Sequence, residues 1–251
     1  MSQIELDQVA DAETIGPDWK GLCKIGGVAA LLQLASILVM LVVSATLGLK
    51  PATVQEYFAV LQANKLAGIL RDDFTSLFLI AMYLGTFPAL YFSLRRVNAT
   101  YTTLATLFTF VAVTTCFATH SGFSLIHLSD QYAATTTDTQ RAQLLAAGEA
   151  ILAANMWNSS GAYMSGILLQ GAGVIISAVM LRSKDFSKVT AYAGMLGNAF
   201  DLAQHILHPF APSISATILM IAGPFYLAWF PMLARDLFRL GRKLPLAERE
   251  G

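Results

Sequence analysis

The residues of this chain that could do chemistry are four histidines and three aspartates. Asn198, Asp201, His205 and His208 follow at i, i+3, i+7 and i+10, one narrow stripe if the segment is helical. Gly194 continues that stripe. Cys116, His120, Ser124 and His127 fall close to one face of an earlier segment, and Asp72 and Asp73 stand at the start of another. Imidazole with carboxylate is a donor set for Zn, Cu, Fe or Ni. The expected metal ligands are therefore His120, His127, His205, His208 and Asp201, with zinc or another transition metal as the cofactor. His127 is the outlier, because seven residues of helix separate it from His120 by about 10.5 Å. Gly122 could supply a bend between them. A zinc held this way lowers the pKa of a bound water toward about 7, and Asp73 or Asp72 would be the catalytic base. That is a metal-dependent hydrolase. The second chemistry is haem b held between His120 and His205, or His208, in a redox protein. The third reading has no chemistry, only a transport-related or structural bundle. Each residue also has a plainer role. Carboxylates at a helix N-terminus are favoured by the helix dipole, and histidines at a membrane interface can simply be hydrogen-bonded.

The elements that would position these residues are membrane helices. Hydrophobic residues make up 55% of the chain and charged residues 13%, against about a quarter charged in a soluble domain. Net charge is zero, and no basic block points to nucleic acid. Crossing a bilayer takes about 20 apolar residues. Six segments qualify, about 25–48, 70–94, 100–127, 159–181, 189–208 and 214–236. The fifth is the most polar. With six spans, Lys50, Lys65, Arg71 and Arg141 lie on one side and the other twelve of the sixteen basic residues on the opposite side. The basic side is cytoplasmic, which places both termini inside. Counting about 20 residues of helix from Arg95, Arg96 and Lys188 brings Asp72, Asp73, His120, His205 and His208 to a similar height near the outer face.

Residues 1–19 are acidic and lack the positive stretch and small-residue cleavage site of a secretory signal. They are expected to be a disordered tail before an uncleaved first span. The six-span domain is expected over 20–243, with a C-terminal tail at 244–251. Cys23 and Cys116 sit near opposite ends of their spans, so no intrachain disulfide is expected.

Two outer loops carry helical patterns. Pro51 precedes the capping box Thr53-x-x-Glu56, after which Val54, Tyr57, Phe58 and Leu61 form one stripe. Thr137-x-x-Gln140 repeats the pattern before Leu144, Leu145, Gly148, Ile151 and Leu152. These helices would lie in the interface, cover the histidine layer or pack as ordinary loops. Gly161-x-x-x-Ser165 and Ala193-x-x-x-Gly197 allow close helix approach. Gly85-x-x-Pro88 and Gly223-Pro224 are points where proline removes a helix hydrogen bond.

Several stretches together carry a likeness. They are Leu128-Ser-Asp-Gln-Tyr-Ala-Ala with Gln140-Arg141, Leu145-Ala-Ala-Gly-Glu149, Met180-Leu-Arg-Ser-Lys184, Phe186-Ser-Lys-Val-Thr-Ala-Tyr192 and Leu237-Phe-Arg-Leu-Gly-Arg242. Over about 20–243 the chain resembles the bacterial multi-span membrane proteins of domain-of-unknown-function family 4386. The resemblance implies a polytopic protein of the bacterial inner membrane and brings no catalytic residues with it. The expectation is thus an all-α integral membrane six-helix bundle with two outer-face amphipathic helices. Its partners would be membrane lipid and a small-molecule or lipid ligand at the outer face. The sequence is compatible with an oligomer.

Overall fold

Among the described residues every regular element is a helix. The computed structural model describes residues 18–71, 74–154 and 159–242. The acidic tail up to residue 17, Asp72, Asp73 and the C-terminal tail lie outside them. The helices are α1 (Asp18–Thr46), α2 (Val54–Ala63), α3 (Lys65–Arg71), α4 (Phe74–Ala81), α5 (Tyr83–Leu94) and α6 (Ala99–Thr119). They continue as α7 (Gly122–Ala134), α8 (Asp138–Ala154), α9 (Ser160–Arg182), α10 (Lys188–Leu207) and α11 (Pro212–Arg242). Among the described residues five helical stretches are long and apolar enough to cross a membrane: 19–46, 74–94, 99–134, 160–182 and 212–242. α10 is not among them, because its polar stripe lowers its hydropathy. It nevertheless packs along both α9 and α11.

Neighbour follows neighbour around a closed ring, α1–α5–α6–α9–α10–α11 and back to α1. Small residues set the approach. Gly26 of α1 meets Ala89 of α5, and Gly27 meets the Phe238 ring of α11. Gly161 lies against Thr115 and Thr119 of α6, and Gly197 against Phe225 and Tyr226 of α11. The ring closes on a core of Phe87, Leu90, Leu94, Ile176, Met180, Trp229, Phe230, Leu233 and Leu237. Its outward surface is also apolar, with Leu41, Val42, Leu107, Val111 and Met220 exposed.

Two spans differ from the single helices that hydropathy predicts. The second breaks at Met82, whose N–H is shared between the carbonyls of Phe78 and Leu79, both at 3.2 Å. The third ends at Thr119. His120 is extended (φ −84°, ψ 124°), and the chain restarts as α7 at Gly122. Hydropathy reads through both breaks because the residues there remain apolar or neutral.

α2 forms with the predicted capping box. Thr53 Oγ1 accepts the Glu56 N–H at 3.3 Å and Glu56 Oε2 accepts the Thr53 N–H at 3.4 Å. Its buried residues are Val54, Tyr57, Phe58 and Leu61. They pack with Leu125 of α7, and with Tyr132, Leu145, Ile151 and Leu152 around it, in a second cluster apart from the main core. Gly148 of α8 lets Val54 approach. Thr53→Ala should destabilise α2 by about 1 kcal/mol, seen as faster protease cleavage within 47–63; unchanged cleavage would show that the cap contributes nothing. Cys23 and Cys116 are both free thiols, Cys116 lying 3.1 Å from Ser165 Oγ.

Candidate functional site: a buried polar network on α10

α10 turns Asn198, Asp201, Gln204 and His205 into the bundle. Asn198, Asp201 and His205 are only 1%, 8% and 6% exposed. The space comes from α9, where glycines stand opposite the polar groups. A Cβ at Gly166 would overlap the His205 ring, and one at Gly173 would overlap the Asn198 amide. α11 closes the third side with Ser215 and Tyr226. The Tyr226 ring stacks on Phe230 (centroids 5.7 Å apart, 15° between planes), and Tyr83 of α5 lies across Phe230 at 6.4 Å.

The hydrogen bonds run through all three helices. The Tyr226 hydroxyl is 2.8 Å from Asp201 Oδ2, 2.8 Å from Gln170 Oε1 and 3.4 Å from Asn198 Oδ1. Gln204 Nε2 donates to Asp201 Oδ1 at 3.0 Å and stands 2.7 Å from His205 Nδ1. That nitrogen is also 2.9 Å from the Asp201 carbonyl and 3.2 Å from Asp201 Oδ1. Ser215 donates to Gln204 Oε1 at 2.9 Å, and Asn198 Nδ2 to the Gly194 carbonyl at 2.7 Å. Among the described residues no lysine or arginine pairs with Asp201; its ion-pair partner is His205.

The other expected ligands point elsewhere. His120 lines a shallow cleft between α2, α3, α4 and α7, with Tyr57, Leu61, Phe74 and Phe123. His127 is exposed on α7, 3.1 Å from Gln131 Nε2. His208 caps the C-terminus of α10. Among the described residues no group of three or more His, Cys, Asp or Glu could hold a metal ion. Of His120, His127, His205, His208 and Asp201, only His205 and Asp201 are brought into hydrogen-bond contact. Asp72 and Asp73, the expected bases, lie outside the described residues. A haem between His120 and His205 does not fit this arrangement. The Nε2 edge of His205 faces Gly166 too closely even for a methyl group, and its Nδ1 is engaged within α10.

Two groups of functional interest escape a reading centred on histidine. Gln170 and Tyr226 each stand mid-helix among mainly apolar neighbours. A signal for Gln170 does exist, in the run Ala162, Gly166, Gln170, Gly173, Ser177, which keeps to one face of α9. The second is Asp236, wholly buried near the other end of α10. It accepts the Ser187 N–H at 3.0 Å and the Thr190 hydroxyl at 2.7 Å, with Arg235 Nη2 at 3.1 Å. Comparison with protein-family models, with curated proteins and with solved structures finds nothing that matches the chain.

Proposed function

We propose that the chain is a six-span protein of a bacterial inner membrane, both termini cytoplasmic, whose polar interior serves transport of a small polar or charged species. The bacterial inner membrane is what the sequence resemblance to family 4386 implies, and that resemblance brings no activity with it. The 20 residues of α10 give about 30 Å of helix, enough to cross, and α10 is flanked on both sides by helices that qualify as spans. An even number of spans leaves the basic residues on one side. Lys20 and Lys24 meet Gly241 there, and Arg239 donates to the Asp185 carbonyl.

The observation that carries the reading is the Asp201 network. An ionisable group inside a membrane bundle is costly, and such residues mark substrate and ion pathways. Asp201 sits between three helices with amides, a phenol and an imidazole for company, and among the described residues no lysine or arginine pairs with it. Polar side chains can also join membrane helices as structural glue, and access from water separates the two roles.

Access tests this. With Cys23 and Cys116 replaced by alanine, single cysteines at Asn198, Asp201 and Ser215 should react with a membrane-impermeant maleimide from one aqueous side. A lipid-facing cysteine at Leu107 is the negative control. If none of the three reacts from either side, the network is glue between helices and the transport reading fails.

A further inference from the structure

The Tyr226 hydroxyl carries one hydrogen and faces three oxygen acceptors. Asp201 Oδ2 and Gln170 Oε1 are both 2.8 Å away, and Asn198 Oδ1 is 3.4 Å away. One O–H satisfies one acceptor well. The others are left oxygen against oxygen, an arrangement that costs free energy unless a hydrogen or a cation lies between them. Two of the acceptors cannot be turned aside at no cost. Asn198 is oriented by its own donation to the Gly194 carbonyl at 2.7 Å. The second Asp201 oxygen is held by Gln204 at 3.0 Å. With the Gln170 amide oxygen facing Tyr226, the node holds one hydrogen fewer than its two 2.8 Å oxygen contacts need.

We propose that this node binds one monovalent cation, H⁺ or Na⁺, on the oxygens of Asp201, Gln170, Asn198 and Tyr226. The proposal rests on the transport reading above and names the species that the polar interior takes up. Carboxylate, amide carbonyl and phenol oxygens are ligands for hard cations. A proton serves the same set by letting Asp201 Oδ2 donate to Tyr226 Oη while Tyr226 donates to Gln170 Oε1, so that both 2.8 Å contacts carry a hydrogen. The other titratable groups at the node are His205 on α10 and, across Phe230, Tyr83 on α5. α9 contributes the neutral Gln170 between Gly166 and Gly173. Among the described residues no lysine or arginine pairs with Asp201, and the basic group beside it is the His205 imidazole at 3.2 Å.

The test uses purified full-length protein in detergent. Its unfolding temperature is followed against NaCl, with choline chloride holding ionic strength constant, and its infrared spectrum is recorded as a function of pH. For Na⁺, the unfolding temperature rises with Na⁺ but not with choline, linearly in log concentration once the site is saturated. Asp201→Asn abolishes that rise. For H⁺, Na⁺ has no effect, and the wild type shows the carbonyl stretch of a neutral, water-excluded carboxylic acid that vanishes at high pH and in Asp201→Asn. Tyr226→Phe keeps the ring stacked on Phe230 and serves as the second variant. It should weaken the Na⁺ shift or move the carboxyl band. Equal effects of Na⁺ and choline with no such band would overturn the proposal, as would a signal unchanged in both variants. Gln170 would then turn its amide N–H toward Tyr226 and close the node. Maleimide access to Ser215 without any cation effect would leave a path for some other solute and remove the cation alone.

Discussion

A Gly173→Ala variant is expected to lose about 2 kcal/mol of stability, whereas Gly171→Ala, two residues earlier on the same helix, should gain up to about 1 kcal/mol. Both changes add one methyl group to α9, and both remove the helix penalty of glycine. They differ in what the methyl meets. At Gly171 nothing lies within 4 Å of the added carbon. At Gly173 it falls inside the Asn198 amide, and that amide is tied to the Gly194 carbonyl. Either Asn198 gives up that bond or α9 moves off α10, and overpacking of this kind costs about 1–3 kcal/mol. Gly166→Ala should behave like Gly173→Ala, with the His205 ring as the obstacle. Unfolding temperatures of the three variants in one detergent decide the matter. Similar values for Gly171→Ala and Gly173→Ala would mean that α9 and α10 are not in the close contact described.

Asp236→Ala should cost about 3 kcal/mol, and Asp236→Asn clearly less. The guanidinium groups beside Asp236 contribute little to this difference, since Arg235 and Arg239 are more than half exposed and such pairs are worth about 0–1 kcal/mol. The loss comes from the Ser187 N–H and the Thr190 hydroxyl, which the carboxylate holds at the first turn of α10. Alanine leaves both donors buried without an acceptor. Asparagine keeps one acceptor oxygen in place. Thermal unfolding of the two variants measures the gap, and equal losses would show that negative charge, not hydrogen bonding, is what α10 needs there.

The stripe on α10 was legible from spacing alone. Asn198, Asp201 and His205 share a helix face, and burying that face is the cheaper outcome in a membrane. The capping box of α2 was legible because it is local, needing only Thr53, Glu56 and the turn between them. The gathering of all four histidines was not. Counting residues from a basic end gives height along the bundle and says nothing about direction around it. His120, His205 and His208 therefore share a predicted height and yet lie in a cleft, against α9 and at the C-terminal cap of α10, while His127, the expected outlier, is exposed on α7. The break at His120 defeats the count further, because α7 starts a new helix axis. Gln170 and Tyr226 were hidden for another reason. The run of small and polar residues through Gln170 marks a face of α9 but not its partner, and Tyr226 gains meaning only from the Asp201 and Gln170 side chains it meets on other helices.

The residues around Val54, Tyr57, Phe58 and Leu125 form a small core that shares no buried side chain with the large one. Cooperativity follows shared burial, so the chain should behave as two melting units of unequal strength. α2, α7 and α8 would open and close as one piece while the ring beneath them stays shut.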